Sequence, residues 1–127
     1  MKQYNTLLDL ALSEDWAARV VAASSDEMSE EVAEILSSDE DSDVRGALAD
    51  NPQTPSHILE KMCKDTDLLV LMTLADNLHT PARGLKQIHE ANPDNGEILQ
   101  SLSTHPNCPE EIRQLILSKA GERGKDK

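Results

Sequence analysis

The segment Val44-Arg45-Gly46-Ala47-Leu48-Ala49-Asp50-Asn51-Pro52-Gln53-Thr54-Pro55 recurs along this chain. At an offset of 26 residues stands Val70-Leu71-Met72-Thr73-Leu74-Ala75-Asp76-Asn77-Leu78-His79-Thr80-Pro81, with Val, Leu-Ala-Asp-Asn and Thr-Pro in the same places. A further copy follows after 28 residues: Ile98-Leu99-Gln100-Ser101-Leu102-Ser103-Thr104-His105-Pro106-Asn107-Cys108-Pro109. Upstream lies a degenerate copy, Ala18-Arg19-Val20-Val21-Ala22-Ala23-Ser24-Ser25, with Ser29 where the later copies have Pro. The residues beyond each Pro also agree: Ile58, Leu59 and Met62 match Gly84, Leu85 and Ile88, then Ile112, Arg113 and Ile116, and upstream Val32, Ala33 and Leu36. Self-similarity at a fixed period marks a repeat architecture.

Each unit reads as helix, tight Pro turn, helix. From Asp43 to Ala49 the apolar residues Val44, Ala47 and Leu48 recur at helical spacing. The stretch should stop at Asn51-Pro52, because the residue before a proline is pushed out of the α region. The second helix is expected to start at Thr54-Pro55, Thr80-Pro81 and Cys108-Pro109, with Thr as N-cap and Pro at the first helical position. Acidic side chains crowd several first turns, where the helix dipole favours them. No stretch alternates with a period of two, so strands are not expected.

A pair of short helices cannot bury its own apolar face, whereas stacked pairs share a continuous core. The expected fold is therefore all-α: an α-solenoid of about four and a half helix-turn-helix repeats of 26–28 residues. Residues 1–119 form one repeat domain, with 1–14 a capping half-repeat and repeats at 15–40, 41–65, 66–92 and 95–119. Residues 120–127 read as a polar tail. Ala22, Ala23, Ala47, Ala49 and Ala75 on the first helices permit close helix approach. That suits a chain with no Phe, one Trp and one Tyr.

The pattern Val-Arg-x-x-Leu-Ala-x-Asn-Pro-x-Thr-Pro resembles the leucine-rich repeat variant family. It is most complete at Val44-Arg45, Leu48-Ala49, Asn51-Pro52 and Thr54-Pro55. The third unit has Leu71 for the Arg and Leu78 for the first Pro; the fourth keeps His105-Pro106 and Pro109. The resemblance spans about 105 residues. It implies a right-handed superhelix in which short 3₁₀-like helices alternate with α-helices, akin to HEAT and armadillo solenoids. Some members carry an N-terminal cysteine cluster for an iron–sulfur centre. Here no cysteine precedes Cys63, so that cofactor is not carried over.

With 24 acidic and 12 basic side chains the net charge is -12. Phosphate contacts need Lys and Arg, so direct nucleic-acid binding is excluded, and so is docking on an anionic membrane. No signal sequence or membrane-spanning stretch is visible. Cys63 and Cys108 match no CxxC pattern and read as reduced thiols of a cytoplasmic protein. His57, His79, His89 and His105 form no HExxH or i,i+4 pair. His105 occupies the slot of Asn51 and Asn77, where a hydrogen bond in the Pro turn is its expected role. No nucleophile, phosphate loop or metal set is present, so no catalytic residue, metal or cofactor is assigned and an enzyme is not expected.

Two features bear on binding. Residues 1–50 hold 13 acidic and 3 basic side chains, against 11 and 9 in 51–127. Glu30, Glu31, Glu34, Asp39, Glu40, Asp41 and Asp43 belong to a run, from Val20 to Val44, that contains no base. They form either a solvated face or an acidic ridge for a basic partner. The second feature is Leu68 to Leu74, apolar nearly all round. Leu69, Leu71 and Met72 align with Asp43, Arg45 and Gly46, and Leu99 extends the stripe. They are either buried in the rod or a partner or self-association patch. The function expected is a non-enzymatic protein–protein interaction module whose partner is a protein with a basic surface. The alternative is an acidic nucleic-acid mimic, encoded by a phage or mobile element, that inhibits a DNA- or RNA-binding protein.

Overall fold

A computed structural model describes residues 5–125; residues 1–4 of the N-terminal half-repeat and 126–127 of the tail lie outside the described residues. Among the described residues there are nine α-helices and no strand. They are α1 (Leu7–Ala11), α2 (Trp16–Ala23), α3 (Glu30–Ser37), α4 (Ser42–Asp50), α5 (Ser56–Met62), α6 (Leu68–Asp76), α7 (Ala82–Ala91), α8 (Gly96–Thr104) and α9 (Glu110–Lys125).

The helices start where short polar side chains take up free backbone donors. Asp15, Asp41, Asp67 and Asn95 stand at the same place in successive repeats, and each accepts a backbone N–H from the first turn of α2, α4, α6 or α8. These opening helices are α-helical over eight or nine residues rather than 3₁₀-like. Side-chain caps and i→i+4 bonding favour the α form, while 3₁₀ geometry rarely persists beyond three or four residues.

The turn threonines do not cap the helices that follow them. Pro55 and Pro81 occupy the N-cap positions of α5 and α7, without a side-chain cap bond. The buried hydroxyls of Thr54 and Thr80 point backwards instead, donating to the Leu48 and Leu74 carbonyls at 2.7 Å each. Those carbonyls lie in the last turns of α4 and α6, where intrahelical donors run out. Thr-Pro therefore closes the first helix of a repeat rather than opening the second.

The helices pack in two rows. In one, α2 touches α4, α4 touches α6 and α6 touches α8; in the other, α1 touches α3, α3 touches α5 and α5 touches α7. Between them lies a single aliphatic core. It takes Val44, Leu48 and Ala49 from α4 and Ile58 and Leu59 from α5, and the series continues with Val70 and Leu74, Leu85 and Ile88, then Ile98 and Leu102. Ile112 and Ile116 close it from α9. Each fully buried Leu, Ile or Val contributes about 1.5–3 kcal/mol by removing its side chain from water. Past residue 119, where a tail was expected, α9 continues to Lys125. The sequence there is polar but rich in good helix formers such as Ala120, Glu122, Arg123 and Lys125.

One contact in the second row requires a glycine. A Cβ on Gly84 would stand 2.7 Å from Cys63 Sγ and 3.4 Å from Glu60 Cα, so α7 approaches α5 more closely here than the Ile58 and Ile112 counterparts would allow. Cys63 is buried, its thiol donates to the Leu59 carbonyl at 3.2 Å, and burial pushes its pKa up to about 12. Burial also raises the Cys108 thiol. Only the thiolate attacks a disulfide reagent, so at pH 8 folded Cys63 is held almost wholly in its unreactive thiol form. Native protein is expected to react with an aromatic disulfide reagent no faster than it unfolds, and both thiols should react at once in denaturant. Rapid titration of Cys63 in native buffer would contradict this burial.

Candidate binding surfaces

Two hydrogen-bonded series run from repeat to repeat and hold the surfaces in place. In the first, the Asn51 amide donates to the Ala23 and Ser25 carbonyls at 2.9 and 2.8 Å, while its Oδ1 accepts the Gln53 N–H at 2.9 Å. Asn77 repeats this one unit on, donating to Ala49 O at 2.8 Å and Asn51 O at 3.4 Å and accepting from His79 N–H at 2.9 Å. His105 fills the third position: Nε2 meets Asn77 O at 2.7 Å and Nδ1 accepts the Asn107 N–H at 3.0 Å. The occupied Nδ1 places the ring hydrogen on Nε2. His105 thus acts in the turn as its alignment with Asn51 and Asn77 indicates, and it also reaches the preceding repeat.

The second series escapes the sequence reading. Arg19 forks onto Asp39, with Nε–Oδ2 at 2.8 Å, and Arg45 forks onto Asp65 at 2.7 Å. Arg45 also donates to the Asp39 carbonyl at 2.8 Å, and Arg19 donates to the Ser13 and Glu14 carbonyls. Both aspartates are 8 % exposed, and each also accepts the N–H two residues on, from Asp41 or Asp67. Planar bidentate pairing is the strong form of this contact. A signal was present in the sequence: Asp39 and Asp65 lie 26 residues apart, as Arg19 and Arg45 do. In the third unit the pair is absent as a pair, with Leu71 and Ala91 at the matching positions and a longer connection before Asn95.

These contacts divide the acidic run. Asp39 is committed to Arg19, and Asp41 caps α4 through the Asp43 N–H at 2.8 Å. Glu34 on α3 pairs with Lys61 on α5, and Glu30 stands 4.0 Å from His57 Nε2. Glu31, Glu40 and Asp43 are exposed and make no ion pair among the described residues. The run is therefore spread over α3, a connecting turn and the start of α4.

The apolar helix divides as well. Leu71 and Leu99 are buried, at 5 % and 7 % exposure, on the flank of the row where Arg19 and Arg45 sit in earlier repeats. They belong to the core and are unavailable as surface. Met72 is half-buried and packs against that core. Leu69, by contrast, is 72 % exposed. At matching positions on the outward face of this row stand Val20 and Val21 on α2, Gly46 and Ala47 on α4, and Met72 and Thr73 on α6. A trough of about 370 Å³ lies between α4 and α6, lined by Gly46, Ala47, Leu69 and Thr73 with Asp43, Asp50 and Asp67 along its edges.

No group of three or more His, Cys, Asp or Glu side chains that could hold a metal ion is found among the described residues. No helix among them is long and apolar enough to cross a membrane. No protein family, curated protein or solved structure matches the chain.

Proposed function

We propose that this chain is a non-enzymatic protein–protein interaction module of the cytoplasm, and that it binds a protein with a basic surface. In this reading its two helix rows form a right-handed α-solenoid of about four and a half repeats, similar to the leucine-rich repeat variant family. The stepwise contacts within each row and the Asn51–Asn77–His105 series support the solenoid. The observation that carries the function is the outward face of α2, α4 and α6, which sets exposed apolar side chains beside carboxylates that make no ion pair among the described residues. Stacked repeats offer such extended faces for recognition, and unpaired acids speed encounter with a basic partner.

Affinity capture from the native host tests the reading, with wild-type chain and an Asp43→Lys/Asp50→Lys/Asp76→Lys variant as baits. Wild type is expected to retain a protein at a fixed ratio, with retention falling as salt rises. Failure to retain any protein at a fixed ratio would overturn the reading. If the reversed variant loses a nucleic-acid-binding protein that DNA or RNA also displaces, the chain acts as an acidic mimic instead.

A further inference from the structure

We propose that the trough between α4 and α6 is the docking site for a basic amphipathic helix of the partner protein, its apolar side in the trough and its Lys or Arg side chains on the acids at the two ends. This rests on the interaction-module reading and specifies the surface and the chemistry of what covers it.

The trough exists because α4 lacks side chains where its neighbours have them. Nothing lies within 4 Å of the place a Cβ on Gly46 would occupy, whereas the matching positions hold Val20, Met72 and Gln100. Ala47 is likewise small beside Val21. Leu69, 72 % exposed, forms one wall. The Thr73 hydroxyl is already spent on the Leu69 carbonyl at 2.8 Å, so it asks nothing polar of an occupant. A concave, mostly apolar surface flanked by charge is the usual receptor for an amphipathic helix.

The ends decide the charge of that helix. Asp43 and Asp67 stand at the start of α4 and α6; Asp50 and Asp76 stand at their ends, beside a further hollow that includes Leu78, 64 % exposed. Asp43, Asp50 and Asp76 are exposed and make no ion pair among the described residues. A second copy of this chain would set carboxylates against carboxylates at a net charge of -12 per chain, so self-association does not fit the trough. Helices α4 and α6 are nine residues long, about 13 Å, which matches two to three turns of an occupant with cations at both ends.

The probe is a fluorescent 18-residue Leu/Lys peptide patterned as an amphipathic helix, compared by anisotropy with a scrambled peptide of the same composition and with oligolysine of equal charge. The patterned peptide is expected to bind at least tenfold more tightly than either control. Gly46→Met, which copies Met72, should weaken it at least tenfold with no loss of thermal stability. Leu69→Glu, at an exposed site, should do the same, and Asp50→Lys/Asp76→Lys should weaken binding and flatten its salt dependence. Equal binding of the scrambled peptide or oligolysine would overturn the proposal, as would wild-type affinity in both Gly46→Met and Leu69→Glu. With the natural partner the two readings separate. A partner held equally by wild type and both trough variants keeps the module and removes the trough; no partner for wild type removes the module itself.

Discussion

Replacing Arg45 by Leu is expected to destabilise the chain by about 3 kcal/mol, at the lower end of what breaking a buried ion pair costs. The variant strands the Asp65 carboxylate, 8 % exposed, without its bidentate partner, and it removes the donor to the Asp39 carbonyl. The lower end applies because the Arg45 side chain is itself 17 % exposed. The hydrogen bond to Asp65 holds the Arg45 pKa above its ordinary value. A raised folded pKa gives stability that is fully present below the unfolded value, so this contribution stays constant throughout neutral pH and fades only in strong alkali. Adding Asp65→Asn should recover about half or more of the loss. Asn leaves no buried charge and still offers an oxygen to the Asp67 N–H. The chain makes a similar exchange itself, with Leu71 and Ala91 at the corresponding positions. Urea titration of both single variants and the double completes the cycle. Additive losses would mean that the pair is not coupled.

Asn77→Ala is expected to cost about 2–3 kcal/mol, because it leaves a buried carbonyl and a part-buried N–H without partners. The carbonyl of Ala49 loses its donor at 2.8 Å and the His79 N–H loses its acceptor at 2.9 Å. Asn77→His should cost half as much, roughly 1–1.5 kcal/mol, because it restores the acceptor but not the donor to Ala49 O. An imidazole in this slot keeps an acceptor for the N–H two residues on and a donor for the Asn51 carbonyl, as His105 shows by meeting Asn77 O through Nε2 and the Asn107 N–H through Nδ1, while the Ala49 carbonyl stays without its donor. Urea midpoints for the two variants separate a hydrogen-bonding role from a packing one. If His proves as harmful as Ala, the volume of the site rather than its polar pairing governs stability.

The repeat period was readable because burial keeps Val44, Leu48 and Ala49 in step with Val70, Leu74 and Ala75. The polar slot at 51, 77 and 105 was readable for the same reason. What escaped was pairing at a distance. Arg45 and Asp65 lie 20 residues apart in different elements, and a face-by-face reading assigns the Asp to solvent. The same blindness made Leu71 and Leu99 ambiguous. The position takes either an Arg that pairs with an aspartate 20 residues on or a buried Leu, and only the fold shows that the Leu is core. Thr54 and Thr80 read as N-caps in the sequence because a hydroxyl beside a helix start can bond either way. Only the fold brings it to a carbonyl of the helix behind.

By itself the sequence determined the helical class and the small aliphatic core, since these follow from local spacing and side-chain type. Tertiary structure decided which acids are spent on arginines and helix starts, and which leucines are core. It also revealed the trough that Gly46 leaves open, because exposure and pairing depend on what the neighbouring repeat places alongside.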